Sequence, residues 1–326
     1  MEQDASKFYD LIIIGAGPGG FTAGMYGARA ALKTLLIEAT ATLSQISYAD
    51  YVENYPGFPE GISGYDLNDR FRNQAKRFGL ETVYGDVAAI DTAMLTRPSG
   101  RRTVEIDGWE VRTGDATYQA QALIIATGAS WRRLGIPGED TLVGKGVSYC
   151  ATCDAPFYRD KDIAVVGGGD TAVGEAIYLT KFARKVTIVH RRDKLRAVGL
   201  LQKRAFENGK IDFIWDSVPE SILGEDQVAG IRLRNKISGE VRDIPVQGVF
   251  PLIGLNPNTQ VVRGVVKLDE NGYILVNENM ATSAKGIFAC GDCIHKSLRQ
   301  VVTACGDGAV AAFAAQDYIE ELKGAL

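Results

Sequence analysis

Two segments that each read strand, glycine turn, helix, strand, with a close cysteine pair between them, predict an α/β fold holding two dinucleotide-binding units. The first glycine turn is Gly15-Ala16-Gly17-Pro18-Gly19-Gly20 and the second is Gly167-Gly168-Gly169-Asp170-Thr171-Ala172. The cysteine pair is Cys150-Ala151-Thr152-Cys153, followed by Asp154. The chain of 326 residues is long enough for about two domains. Its 46% hydrophobic and 23% charged residues are ordinary for a chain with a real core.

Residues 9–14 are apolar and read as a buried parallel strand that ends at the first glycine turn. Residues 21–31 continue as a helix rich in small side chains, and residues 34–37 form the next strand, ending at Glu38. Residues 44–64, rich in Pro, Gly and aromatics, read as an irregular loop, and residues 65–78 as a helix. The polar stretch 94–114 suits hairpin-like strands, and residues 122–126 a further apolar strand ending in Thr127-Gly128. The pattern then repeats. Residues 163–166 are a strand, 172–182 a helix, and 186–189 a strand that ends at His190. Residues 223–248 alternate as β-meander material, 286–289 are a short strand, and 305–322 a final helix. Low-complexity linkers are absent, so the crossings between domains fall near residues 130–135 and 254–258.

A Gly-x-Gly-x-x-Gly turn lets backbone approach a pyrophosphate, which then faces a helix N-terminus. Gly15, Gly17, Pro18, Gly19 and Gly20 are therefore candidate cofactor contacts. Glu38 stands where an acid accepts hydrogen bonds from ribose hydroxyls. A carboxylate there repels a 2′-phosphate, so this site suits FAD or NAD(H) better than NADPH. At the second turn, Gly167, Gly169, Asp170, Thr171 and Ala172 are the matching candidates. No acid ends its second strand. His190, Arg191 and Arg192 follow instead, with Arg196 one helical turn later. Such a cluster clamps a 2′-phosphate through charge-assisted hydrogen bonds; the plainer alternative is a solvated basic face. Opposite charge at the two ribose ends assigns FAD to the first site and NADPH to the second.

Five cysteines are too few for a disulfide scaffold in a chain this long. Cys150 and Cys153 have the spacing of a redox pair, and the adjacent Asp154 carboxyl suits proton transfer to a leaving thiolate. A rival use is half of a four-thiolate zinc site completed by Cys290 and Cys293. Cys290, Cys293 and Cys305 otherwise read as small packing groups, with an auxiliary thiol near a flavin as the alternative. A net charge of −4 gives no electrostatic case for nucleic acid or an anionic membrane. No apolar run reaches the roughly 18 residues of a membrane span. The polar, acidic start at residues 1–4 carries no secretory core, so a cytoplasmic location is expected.

On these residues the chain resembles the low-molecular-weight thioredoxin reductases along nearly its whole length. The matching stretches are residues 15–20, 52–59, 126–129, 150–154, 167–172, 190–197, 254–257, 291–292 and 299–304. The resemblance implies two Rossmann-like FAD/NAD(P)-binding domains in a homodimer, the FAD domain discontinuous. The expected boundaries are 1–132 (FAD, first part), 133–257 (NADPH, carrying the cysteines) and 258–326 (FAD, second part). It implies FAD contacts from Asn54, Thr127, Gly128, Gly291 and Asp292. It puts Arg299, Gln300 and Ala304 beside the isoalloxazine and makes Val301 a further cofactor contact. It implies a relay in which electrons pass from NADPH through FAD to the dithiol. Cys153 faces the flavin, Cys150 attacks the disulfide of thioredoxin or a thioredoxin-like protein, and Asp154 serves as acid/base. No metal enters this scheme. In members of the family, one domain rotates against the other to present nicotinamide and dithiol in turn. Relatives fed by another donor, or acting as dithiol oxidases, are the alternatives. Three departures from the family pattern stand out. No glycine lies within residues 39–46, Ala155-Pro156 follows Asp154, and Gly174 replaces an acid that many members carry.

Overall fold

In the computed structural model, residues 8–40, 44–49, 52–99 and 102–324 are described. The acidic start at residues 1–4, and residues 41–43 of the glycine-free loop, lie outside them. The chain forms two units. One is Met1–Ser130 with Asn256–Leu326, and the other is Trp131–Leu255.

The first unit opens with β1 (Phe8–Ile14), α1 (Pro18–Arg29) and β2 (Thr34–Glu38). The helix starts three residues before the point where the apolar pattern starts, because Pro18 has the φ that a first helical turn needs. Gly19 and Gly20 thereby belong to the helix rather than to the turn. The helix ends early, and Ala31 turns back at φ 59°. Then come α2 (Gly64–Arg77), β3 (Glu81–Tyr84), β4 (Val87–Ser99), β5 (Arg102–Thr113) and β6 (Thr117–Ile125). The α2 helix is capped by Ser63, whose hydroxyl accepts from the Asp66 amide at 3.0 Å. The main sheet runs β3-β2-β1-β6-β5-β4. Its β3, β2, β1 and β6 strands are parallel, whereas β4 and β5 form the antiparallel pair that the polar stretch predicts, beginning seven residues earlier. Both faces of β1 are buried, which explains its unbroken apolar run. Leu11 and Ile13 pack with Phe21, Ala311 and Ala315, whereas Ile12 and Ile14 pack with Ile90, Trp109 and Val111.

The chain leaves this unit through β7 (Ala129–Trp131). The second unit holds α3 (Ala151–Asp154), β8 (Asp162–Val166), α4 (Asp170–Leu179), β9 (Lys185–Val189), α5 (Gly199–Phe206) and β10 (Ile211–Ile214). It continues with β11 (Ser217–Leu223), β12 (Gly230–Asn235), β13 (Val241–Pro245) and β14 (Gly248–Pro251). A parallel sheet runs β10-β9-β8-β14, and β11-β12-β13 is the antiparallel meander. One face of the parallel sheet packs on Ala172, Val173 and Ala176 of α4; the other packs on Ile222, Ile231 and Leu233 of the meander. The return passes through β15 (Leu255–Pro257). β16 (Ile287–Ala289) then pairs in parallel with β6, and α6 (Val301–Gly324) closes the first unit. Each unit thus has a parallel sheet with a glycine turn at the carboxyl end of its first parallel strand, where this class of sheet binds ligands.

Candidate active site

The first glycine turn is built to leave no room for side chains. Gly15 sits at φ 115°, and a Cβ there would lie 2.3 Å from the Ala126 carbonyl oxygen. A Cβ on Gly20 would lie 1.9 Å from the Gly15 carbonyl oxygen. Gly19 lies against α6, and a Cβ on Gly308 would come within 2.3 Å of its carbonyl oxygen. Gly17 caps α1 with no side-chain acceptor. The first-turn amides therefore have no local side-chain partner at the cap, as a pyrophosphate requires.

Glu38 stands at the end of β2, as the sequence predicts, but it is not free. Arg72 of α2 donates from Nη1 to Oε2 at 2.6 Å and from Nη2 to Oε1 at 2.7 Å. The same guanidinium lies 4.9 Å from the centre of the Phe21 ring. Glu38, Thr40, Ser44, Tyr65, Asn68 and Arg72 help line a cavity of about 330 Å³. A bidentate pair uses two of the roughly four lone-pair directions of a carboxylate, so Glu38 retains acceptor capacity towards this cavity.

The other first-unit candidates converge from distant parts of the chain. Asn54 Nδ2 donates to Gln300 Oε1 at 2.9 Å. Val301 packs on the cluster of Ile46, Val52, Ile62 and Leu67, and Ala304 is buried behind Gly19. Gly128 takes φ 68°, and Asn258 fixes its strand end by donating from Nδ2 to the Thr127 carbonyl at 3.1 Å. Gly291, at φ 76°, donates its amide to Asp307 Oδ2 at 3.2 Å. Arg299 is already engaged: it donates to the carbonyls of Asp292 and Ile294 and lies 4.1 Å from the centre of the Tyr273 ring. Asp292 Oδ1 is buried and has no hydrogen bond among the described residues. Burial raises its carboxyl above the usual range, opposed by Lys296 and Arg299. Lys296 sits 3.9 Å from that oxygen and bonds Asp307 at 2.7 Å. An orphaned buried oxygen beside the glycine turn calls for a donor, and a ribityl hydroxyl is of that kind.

The three remaining cysteines are free. Burial pushes the Cys290 thiol well above its ordinary value and the Cys293 thiol up to about 11. Cys293 donates to the Cys290 carbonyl, and Cys290 abuts Gly19. Both behave as packing groups. Cys305 is half-buried, takes a weak bond from the Tyr55 hydroxyl at 3.9 Å, and its thiol is also raised by burial. Among the described residues no His/Cys/Asp/Glu group is arranged to hold a metal.

In the second unit a Cβ on Gly167 would meet the Leu252 carbonyl oxygen at 2.5 Å and the Ala172 methyl at 2.6 Å. Gly169 caps α4 without a side-chain bond, leaving Thr171 exposed in its first turn. The basic loop is stitched to this turn. The Arg196 amide donates to the Gly168 carbonyl at 2.7 Å, and the Val198 amide to Asp170 Oδ1 at 2.7 Å. Arg191, Arg192 and Arg196 are exposed. His190 differs from the arginines in being buried. Its side chain lies under the turn, where a Cβ on Gly168 would come within 2.4 Å of the ring. Burial, reinforced by Arg196, Arg192 and Arg191, lowers its pKa, and a bond from the ring to the Gly167 backbone only partly opposes this. The His190 ring thus packs under the glycines, whereas the arginines are exposed.

The dithiol lies in this second unit. Cys150 and Cys153 are joined in a disulfide across the start of α3. Cys150 caps the helix, and its amide donates to Ser148 Oγ at 3.2 Å. The Thr152 hydroxyl is 3.4 Å from Cys150 Sγ. The Asp154 amide closes the turn on the Cys150 carbonyl at 3.2 Å. Asp154 also adds to the rise of the Tyr158 pKa, whose first cause is burial. Ala155 and Pro156 run straight into a 3₁₀ turn with proline in its first positions, so the exit from the helix is stiff. Sequence reasoning missed Glu175 of α4, whose Oε2 accepts the Ala151 amide at 3.1 Å. It also missed Arg72, Asn258 and the Lys296–Asp307 pair, which only the folded chain brings to these places.

The family described as pyridine nucleotide-disulphide oxidoreductase matches residues 9–308. A Listeria innocua thioredoxin reductase is 49% identical over 98% of this chain and 97% of its own length. A Bacillus subtilis thioredoxin reductase is 47% identical over 98% of both. The crystal structure of a Streptococcus pyogenes thioredoxin reductase superposes with TM-score 0.88 at 46% identity, covering 97% of this chain and all of that one. One from Giardia duodenalis does so with TM-score 0.87 at 38% identity, covering 96% of this chain and 99% of that one. The chain belongs to the thioredoxin reductases of the pyridine nucleotide-disulphide oxidoreductase family.

Proposed function

We propose that this protein reduces the disulfide of a thioredoxin or thioredoxin-like protein with electrons from NADPH, through FAD and the Cys150–Cys153 dithiol. The observation that carries this reading is the disulfide at the head of α3, in the same unit as a glycine turn flanked by exposed arginines. The first unit is the FAD domain and the second the NADPH domain, with boundaries near residues 132 and 257. The glycine cradle at Gly15–Gly20, Glu38, and the Asp292 oxygen that lacks a hydrogen bond fit FAD. When bound, FAD supplies the two-electron carrier that takes hydride from NADPH and returns the electron pair to the Cys150–Cys153 disulfide.

The remaining chemistry belongs to the chain. Gly17, Gly19 and Gly20 present backbone amides to one pyrophosphate, and Gly167, Gly169 and Thr171 to the other. Arg191, Arg192 and Arg196 pair with the 2′-phosphate of NADPH. In the reduced protein the Cys150 thiolate attacks the partner disulfide. A Cys150–partner disulfide forms and one partner thiolate leaves, taking a proton from Asp154. Cys153 then attacks Cys150 Sγ, giving its thiol proton to the Asp154 carboxylate; the mixed bond breaks, and the second partner thiolate leaves and takes that proton. The Cys150–Cys153 disulfide is restored and the partner holds two thiols, so electrons and protons balance. A cytoplasmic location fits a dithiol fed from NADPH, together with three cysteines kept as free thiols. A homodimer is supported by α6, which exposes Val302, Val310 and Phe313 on its surface. Among the described residues no helix is long and apolar enough to cross a membrane.

Anaerobic titration tests the reading. NADPH bleaches the flavin band of the purified protein, and added oxidised thioredoxin restores it. Protein that is colourless and takes up no FAD, or flavin that NADPH does not bleach, overturns it.

A further inference from the structure

The redox helix has an unusual first partner. α3 is only four residues long, and its first amide belongs to Ala151, which is fully buried. A buried amide needs an acceptor. Here the acceptor is a carboxylate, Glu175 Oε2 at 3.1 Å. Glu175 stands on α4, between Val173 and Ala176, which are held in the core of the unit. Ala151 and Ala155 belong to that same core cluster. The carboxylate is therefore held one residue from Cys150 by packing on both sides.

We infer that Glu175 is a positioning residue that makes the Cys150–Cys153 dithiol a stronger reductant. An N–H dipole near a cysteine favours its thiolate, and a negative charge disfavours it. Glu175 does both things against the thiolate: it consumes the partial positive charge of the Ala151 amide and adds a charge of its own. A dithiol whose thiolate is disfavoured gives up its electrons more readily. Burial also raises the Glu175 carboxyl above its usual range, while the Ala151 amide holds it down. The inference deepens the proposed reading and rests on its redox-active dithiol.

Glu175→Gln separates charge from packing, because the amide oxygen still accepts from Ala151. In the full-length FAD-loaded protein, reduced and then freed of reductant, iodoacetamide labels Cys150 at neutral pH. Peptide mapping gives the rate. Loss of the charge speeds labelling by about threefold or more, the change in thiolate fraction that half a pKa unit gives. In a glutathione buffer the variant also stands further towards the dithiol than the parent. Glu175→Asp, which keeps a carboxylate, labels at the parent rate, and Glu175→Ala labels faster than the parent. Should Glu175→Gln not fold, the order of the Asp and Ala variants decides. Unchanged or slower labelling of Gln and Ala variants, with an unchanged glutathione equilibrium, overturns the inference and leaves Glu175 as a mere acceptor for the amide. Neither thioredoxin nor NADPH enters these measurements. A disulfide that NADPH cannot reduce through the bound flavin would instead sink the proposed function.

Discussion

Arg72 grips Glu38 through two parallel bonds of 2.6 and 2.7 Å, with Glu38 only 8% exposed and Arg72 18%. The pair joins α2 to the end of β2, beside the glycine turn. It gives the acid at the end of β2 a fixed orientation, since a carboxylate held at both oxygens cannot rotate.

Removing Arg72 leaves a buried carboxylate without its cation. Arg72→Ala is expected to destabilise the protein by about 2–4 kcal/mol, read as a lower urea midpoint at pH 7. Arg72→Lys should recover only part of this, because an ammonium cannot make the forked contact. FAD affinity should fall with both variants, more for Ala. Equal midpoints for parent and Arg72→Ala would show that the pair carries no net stability.

The glycines give a sharper contrast. Gly20→Ala forces a methyl to within 1.9 Å of the Gly15 carbonyl oxygen. The obstacle is the Gly15 backbone, which cannot swing aside as a side chain can, so a loss of more than about 3 kcal/mol, or failure to retain FAD, is expected. Gly174 lies within α4, its backbone is not left-handed, and a Cβ there meets nothing within 4 Å. Gly174→Ala should therefore stabilise by about 0.5–1 kcal/mol through helix propensity alone. Thermal melts of the two variants in FAD-saturated buffer check both signs at once.

The two glycine turns were legible because sterics leave glycine no substitute there. Gly15 and Gly167 need left-handed or crowded backbone, and the spacing survives in one dimension. The dithiol was legible for the same reason, as four consecutive residues fix it. Glu38 was legible in place but not in partnership, because Arg72 reaches it only after α2 docks. The burial of His190 under Gly168 had no local signal, since two arginines follow it in sequence. The Glu175–Ala151 contact had no local signal at all, because it depends on how α3 lies on α4. Helix starts were read late at Phe21 and Ala172: Pro18, Gly19 and Gly20 look like turn but open α1, and Asp170 and Thr171 open α4.

The exposed arginines make a statement about one phosphate. Arg191→Ala with Arg192→Ala should weaken NADPH by about tenfold or more and change NADH much less, since charge-assisted bonds are worth roughly 1.5–3 kcal/mol. Dissociation constants for both nucleotides, taken at one ionic strength, measure this. Equal weakening would mean that the arginines raise general affinity without reading the 2′-phosphate.

Cys150 and the flavin step can be separated. Cys150→Ser should cut disulfide reduction by at least about a thousandfold, because the hydroxyl is not an attacking group at neutral pH. Bleaching of the flavin by NADPH should continue. Loss of bleaching in a variant that still binds FAD would contradict the placing of Cys150 at the far end of the relay.

His190 supplies a pH test with a definite sign. Burial lowers its pKa in the folded protein below the ordinary value of 6.5. The unfolded chain therefore binds this proton more readily than the folded one. Above pH 6.5 both states are neutral at this ring and its titration contributes nothing to the pH dependence. As pH falls through 6.5 towards the folded value, the unfolded state gains a proton that the folded state refuses, and stability is lost. Urea midpoints of the parent should therefore drop between pH 7 and pH 5 by more than those of His190→Asn, which cannot titrate. The variant will be less stable at every pH, because the ring supports Gly168, but its slope over that interval should be shallower. A slope identical to the parent would place the acid sensitivity elsewhere and the His190 proton outside the folding equilibrium.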